Sequence, residues 1–305
     1  MEDSKAAISV MQKRKYKVSV IIPHYNRKEC LERLLPSIAN QTFADYEVII
    51  MDDFTPDRSV LEYIGTLIKE YKNIRLISND DNLGFVQTCN RGIGLADGYY
   101  ICLLNQDTEV KSNFIEKNVE ILDADSSIGV LSCILVDQEG NNWFTGGSFK
   151  GGLPVNLTDD FEGIRTVDFV AGTAPFYRRE VFDRIGLFDE NYRMYHEDVE
   201  FGLRLHAKTN YKACMFPEKL VVHYIVRSMP KLELYYLSYR NLIMLVKKYS
   251  PNHIPKVLLH ISREIIMLPI DPLLNRKPKS FFLSFGKIML LIIGTLDGLT
   301  RRQRA

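Results

Sequence analysis

Apolar and polar positions alternate in blocks along the first half of the chain. The run YKVSVIIPHYN, from Tyr16 to Asn26, is nearly continuous in β-branched and apolar residues, the mark of a strand buried on both faces. RKECLERLLPSIANQ follows with apolar residues at Leu31, Leu34, Leu35 and Ile38, a helical spacing into which Pro36 fits poorly. The alternation then repeats. YEVIIMDD reads as strand, RSVLEYIGTLIKEY as helix, IRLIS as strand, FVQTCNRGIGLA as helix and YYICLLN as strand. Strands alternating with helical stretches of this length predict βαβ units and a mostly parallel α/β sheet through about residue 135.

Beyond that point the pattern loosens. NNWFTGGSFKGGLPVN is Gly-rich and aromatic, as expected of short strands and a loop. RREVFDRIGLFDE and HEDVEFGLRLHAK are helical, and YKACMFPEKLVVHYIV supplies two short strands. From Lys231 the chain is apolar and helical with basic punctuation, broken at SPNHIP and LNRKPKS. The expected organisation is a loose tail over 1–15, a catalytic α/β domain over 16–226 and a C-terminal helical region over 227–305.

Composition sharpens this in three places. With 305 residues, 46% hydrophobic and 25% charged, the chain can bury one large core. The formal net charge of +1 conceals an asymmetry: from Arg227 onward there are 14 Lys+Arg and 4 Asp+Glu, leaving 25 and 34 before it. An acidic body with a basic tail calls for an anionic surface as the tail's partner, and no nucleic acid is expected. The five cysteines are widely spaced, with no metal or redox spacing, which reads as reduced thiols in a cytoplasmic compartment. The apolar patch near the N-terminus is too short for a signal peptide.

Candidate chemistry gathers at the predicted strand ends, where open parallel sheets hold ligands. The first strand ends at PHYNR, the second at MDDFTPD, the third at SNDDNLGF and the fourth at LLNQDTEV. No GxGxxG follows the first strand and no GxxxxGK[ST] occurs, so a dehydrogenase-type dinucleotide site and a P-loop are both disfavoured. Each Asp or Asn taken singly is also an ordinary turn or cap residue. Four such ends on one sheet point instead to a nucleotide.

Taken in order, VSVIIPHYNRKECLERLLPSIANQT, YEVIIMDDFTPD, NLGFVQTCNRGI, YYICLLNQDTEV and GTAPFYRREVFDRIGLFDENYRMYHEDVEFGLRLH resemble the inverting glycosyltransferases of family 2, over about residues 17–250. The resemblance is nearest to the rhamnosyltransferase and galactofuranosyltransferase subgroup. It implies the GT-A, Rossmann-like fold, and a transfer from a UDP- or dTDP-linked sugar to a hydroxyl of a polysaccharide, O-antigen or lipid-linked acceptor. It implies that Pro23, Tyr25 and Asn26 line the base pocket and that Asp53 accepts from the imide N–H of the base. Asn82, Gly84 and Asn90 would lie near the ribose and diphosphate. NQDT would be the metal motif, usually Asp-x-Asp: Asn105 departs from it, Gln106 is its middle member, and Asp107 retains the last carboxylate. His223 matches the second ligand. A divalent cation, Mg²⁺ or Mn²⁺, would neutralise the departing diphosphate in place of a P-loop. Asp198 would be the base, with Glu197 orienting the acceptor or raising the base pKa. Capping by acidic residues at a helix start is the plainer account of that pair. Trp143 either stacks on a sugar or packs.

The last segments are the most apolar. The stretch from Phe281 to Leu299 approaches bilayer length, yet Lys287 and Asp297 interrupt it. We expect helices lying in the cytoplasmic membrane interface, with Arg301, Arg302 and Arg304 on anionic head groups. The alternatives are a cap on the body or a contact with a second subunit, as in a homodimer. Two rival functions remain open from sequence: a nucleotidyltransferase, for which PHYNRKEC is a poor loop, and a catalytically silent binding subunit.

Overall fold

The computed structural model describes residues 14–226, 231–263 and 278–300. Its first strand, β1 (Tyr16–His24), carries Val18, Val20, Ile21 and Ile22 with no exposed surface. Helix α1 (Lys28–Ala39) lays Leu31, Leu34, Leu35 and Ile38 into the same core. Pro36 sits inside α1 and does not end it. The reason is its place: the ring lies on the exposed face, where the carbonyl it leaves unbonded can meet water, and four fully buried aliphatics hold the helix down. The alternation continues as β2 (Tyr46–Asp52), α2 (Arg58–Leu67), β3 (Ile74–Ser78), α3 (Phe85–Leu95) and β4 (Gly98–Leu103).

The sheet order explains where a site can form. β1 pairs in parallel with β2 on one side and β4 on the other, and β2 pairs in parallel with β3. The chain therefore runs outward from β1 to β3 and then returns to lie on β1's other side as β4. That reversal leaves a crevice between the carboxyl ends of β1 and β4. Past β4 the sheet is mixed: β11 (Phe176–Arg178) lies antiparallel between β4 and β6 (Ile128–Val136), and β6 pairs in parallel with β12 (Lys212–His223). β10 (Arg165–Val167) edges β12, and β7 (Asn142–Phe144) pairs with β6. β8 (Gly146–Lys150) and β9 (Leu153–Leu157) form a separate hairpin, as the Gly-rich segment predicts.

After Asp107 the chain forms β5 (Thr108–Val110) and then α4 (Phe114–Ala124). Two local expectations change. RREVFDRIGLFDE is helical only over α5 (Arg179–Ile185), because Gly186 takes a positive φ of 81° and ends it. The two short strands expected after Tyr211 are one strand, β12, with register shifts between Phe216, Lys219 and Val221. Bulges let a single strand bend where pattern alone suggests a break.

Helices α6 (Glu197–Lys208), α7 (Lys231–Tyr249) and a helical run over 254–263 follow, ending in α8 (Pro278–Thr300). α8 lies tightly on α7: a Cβ on Gly294 would stand 2.5 Å from the Tyr236 carbonyl oxygen. Leu242, Ile243, Val246, Val257, Ile261 and Leu291 form a second, smaller core there, while Leu245 of α7 joins the main one. α7 thus belongs to the body as well as to the C-terminal unit. Residues 274–277 of the LNRKPKS break, the residues before Arg14 and the terminal arginines lie outside the described residues, while 278–280 of that break already belong to α8.

Candidate active site

The two faces of the crevice are stitched by one amide. Gln106, just past β4, has its Oε1 2.7 Å from His24 Nδ1 and 3.3 Å from the Tyr25 N–H that donates to it, and its Nε2 donates to the Tyr25 carbonyl at 3.4 Å. Pro23 is buried, Tyr25 half-buried and Asn26 exposed at the mouth. Asn26 has a φ of 53°, held by donation of its N–H to Thr55 Oγ1 at 2.9 Å.

The loop after β3 is built on Asp53. Its carboxylate accepts from the Leu83 and Gly84 N–H groups at 2.8 and 2.9 Å, from Thr88 Oγ1 at 2.9 Å and from Asn79 Nδ2 at 3.0 Å. Two oxygens with four donors are near their full accepting capacity. The carboxylate that the resemblance gives to a base imide therefore folds the loop first. Gly84 supplies the turn into α3 with a φ of 84°. Asn82 donates Nδ2 to the Asp53 carbonyl at 3.1 Å and accepts from Arg193 Nη2 at 2.9 Å. Asn90 is buried and bonds the Phe188 backbone through both ends of its amide, at 2.9 and 3.0 Å. It clasps the chain around Phe188 to α3 from inside.

The expected metal pair comes together. β5 pairs antiparallel with β12 in the register His223↔Thr108, which sets His223 beside Asp107. His223 Nε2 stands 3.3 Å from Asp107 Oδ1, while the Val226 N–H donates to Asp107 Oδ2 at 2.7 Å. Burial opposes ionisation of Asp107, but His223 and the Val226 N–H outweigh it and hold the carboxyl below its ordinary value. Trp143 meets His223 edge to face at 4.5 Å between ring centres and so packs against the imidazole. Among the described residues no group of three or more His, Cys, Asp or Glu side chains converges. A carboxylate and an imidazole side by side, the carboxylate two residues past Asn105 with its buried and unpartnered Oδ1, suit a cation whose remaining ligands are phosphate oxygens and water.

One short segment joins this motif to the acid pair. The Thr173 carbonyl accepts from the Asn105 N–H at 2.9 Å, and the neighbouring Gly172 N–H donates to Asp198 Oδ2 at 3.0 Å. Asp198 Oδ1 also accepts from the Val199 N–H at 2.8 Å. Gly172 leaves its flank to both acids: a Cβ there would stand 3.6 Å from Glu197 Oε1 and 3.7 Å from Asp198 Cβ. Glu197 is buried with Oε2 unpartnered. Burial, and then the charge of Asp198, push its pKa up; burial also raises Asp198, against the Gly172 and Val199 N–H groups that favour its anion. The sequence pattern gave no sign of Arg193, whose guanidinium lies over Gly84 and binds Asn82 from more than a hundred positions away.

With this geometry in hand, comparison with known proteins is decisive. Residues 19–186 match the family described as glycosyl transferase family 2. The chain belongs to glycosyl transferase family 2. Relatives of this family 2 chain include an uncharacterized glycosyltransferase of Haemophilus influenzae, 31% identical over 215 residues, which are 67% of this chain and 64% of that protein. The amylovoran biosynthesis glycosyltransferase AmsB of Erwinia amylovora is 28% identical over 214 residues, 68% of this chain and 69% of its own. Among solved structures, GalNAc-T7 with UDP, GalNAc and Mn²⁺ superposes with a TM-score of 0.62 at 18% identity, over 77% of this chain and 48% of that one. TarS 1–349 of S. aureus with UDP-GlcNAc gives 0.59 at 18% identity, over 77% and 67%. The fold is accordingly GT-A-like, with a mostly parallel sheet flanked by helices and a helical C-terminus.

Proposed function

We propose that this family 2 chain is an inverting glycosyltransferase that moves a sugar from a UDP- or dTDP-linked donor to a hydroxyl of a polysaccharide or lipid-linked glycan. The observation that carries it is the pair of contacts at Gly172 and Thr173, which tie the NQD motif and the acid pair to one rim of the β1/β4 crevice. Tyr25, Asn26 and the Asp53-folded loop take the nucleotide. Asp198 takes the proton of the acceptor hydroxyl as its oxygen bonds the anomeric carbon. The bond from that carbon to the diphosphate breaks in the same step, and its electron pair leaves on the diphosphate, inverting the centre. Glu197, kept protonated by burial, orients the acceptor by donating a hydrogen bond. Asp107 and His223 would hold a divalent cation, which supplies charge neutralisation for the leaving diphosphate.

GalNAc-T7 was solved with UDP and Mn²⁺ and TarS with UDP-GlcNAc, which supports a UDP-sugar donor and a divalent metal here. The relatives named above carry no rhamnosyl or galactofuranosyl label, so the donor panel must include dTDP-rhamnose. A lipid-linked acceptor is supported by the outer face of α8, where Met289, Ile292, Ile293 and Leu296 are 57%, 37%, 46% and 56% exposed. No helix among the described residues is long and apolar enough to cross a membrane. We read α8 as lying along the cytoplasmic membrane interface, with the basic terminus on anionic head groups.

The test is donor hydrolysis by the purified chain over UDP-glucose, UDP-galactose, UDP-N-acetylglucosamine and dTDP-rhamnose, with Mn²⁺ and with EDTA. One donor should be cleaved in Mn²⁺ and spared in EDTA, and Asp198→Asn should bind UDP normally yet lose about 10²- to 10⁴-fold in rate. Equal cleavage by Asp198→Asn ends the base assignment.

A further inference from the structure

The acid pair stands on a strained piece of backbone. Tyr195 and His196, the two residues before Glu197, have φ values of 69° and 64°. Two successive non-glycine residues in the left-handed region persist only where their surroundings over-determine them. His196 is the N-terminal cap of α6, and its side chain makes no cap hydrogen bond. The restraint comes from elsewhere.

It comes from α7. Asn241 has no exposed surface, and its Nδ2 donates to the Met194 and Tyr195 carbonyls, both at 2.8 Å. Its Oδ1 accepts from Arg240 Nε at 2.8 Å, and Arg240 Nη2 donates to the Asn191 carbonyl at 2.6 Å. The His196 ring bonds the Ser238 backbone one turn earlier, and burial pushes its pKa down to about 4. The same helix reaches the first turn of α6, where fully buried Glu200 accepts from Lys248 Nζ and Tyr249 OH, each at 2.8 Å. α7 grips the base-bearing helix start from both sides.

We infer that α7 is the positioning element of the acceptor-side base: Arg240 and Asn241 hold the carbonyls of 191–195 so that the left-handed turn aims Asp198 at the crevice. This rests on the reading of Asp198 given above. Asn241 is fully buried and Arg240 nearly so. They act through the loop, and a misplacement near 1 Å at a reacting group costs on the order of 10²-fold in rate. The C-terminal helices are thereby part of the catalytic apparatus as well as a surface for docking.

Asn241→Asp tests this with little change of shape, because a carboxylate cannot donate to two carbonyls; Asn241→Ala removes the group. In the full chain, hydrogen exchange over 192–199, thermal midpoint, UDP affinity and the pH profile of donor hydrolysis are compared with wild type. Both variants should exchange faster over 192–199 by about tenfold or more. Hydrolysis should fall by about 10- to 100-fold with UDP affinity within about twofold, and its acid limb should move to lower pH as Asp198 becomes hydrated. Arg240→Gln, which loses only the contacts of its guanidinium, should move each readout the same way by less. Unchanged exchange overturns the inference, as does a rate loss matched by an equal loss of UDP affinity. If Asp198→Asn hydrolyses donor at the wild-type rate, the base assignment fails separately, and the exchange result still decides the α7 clamp.

Discussion

Glu197 and Asp198 show how neighbouring carboxyls acquire different work from different partners. Asp198 has two backbone N–H donors that stabilise its anion, whereas Glu197 Oε2 is buried without one. The folded Glu197 carboxyl holds its proton at pH values where the unfolded one has released it. The folded chain then binds the extra proton, so stability falls as pH rises above the ordinary carboxylate range toward that raised pKa. Glu197→Gln should remove this slope, up to about 1.4 kcal/mol per pH unit while only the folded carboxyl is protonated. Urea unfolding of both proteins from pH 5 to 8 reads it, and parallel curves would exclude a proton held on Glu197. The residue scale was partly legible in sequence. Asp107, His223 and the acid pair stand out as polar residues at strand or helix ends, and each lies where the pattern implied an end. Asn90, expected near the ribose and diphosphate, is buried and bonds the Phe188 backbone at both ends of its amide, an arrangement that looks the same in sequence as an amide facing a ligand.

At the scale of elements, register is what makes a site from separate strands. β5 is three residues long, yet its antiparallel pairing with β12, continued by the Tyr224 N–H on the Asp107 carbonyl, sets His223 against Asp107. The bulges between Phe216 and Val221 adjust the strand before it arrives. The helices meet by close approach instead. Gly294 faces the Tyr236 carbonyl and Gly298 the Arg240 carbonyl, so α8 rests on the turn of α7 that carries Arg240 and Asn241. Gly294→Ala would drive a methyl into backbone, and we expect a loss of about 1–3 kcal/mol, measured as a lowered unfolding midpoint. The amphipathic pattern announced these helices. It could not announce their contact with the 191–196 loop, because Asn241 and Tyr195 are ordinary polar and aromatic residues until the chain folds them together.

For the whole molecule, the charge divide separates an acidic body, which carries the β1/β4 crevice, from a C-terminal part rich in Lys and Arg, which includes the apolar outer face of α8. Ile293→Glu with Leu296→Glu should abolish sedimentation with vesicles containing anionic phosphatidylglycerol while leaving donor hydrolysis in solution unchanged. Binding of the wild type should weaken as salt rises, since screening shortens the reach of the basic end. Retained binding in the double variant would assign α8 to a protein contact instead. What the sequence determined by itself was local and periodic: the βαβ succession, the polar strand ends, the family and the charge divide. These follow from which residues can be buried at spacings of two or 3.6, and that is written along the chain. Tertiary structure decided the rest. The strand order opened the crevice, a three-residue pairing joined Asp107 to His223, and a remote helix holds the turn before Asp198. Those contacts cross dozens to more than a hundred residues, where no periodicity carries a signal.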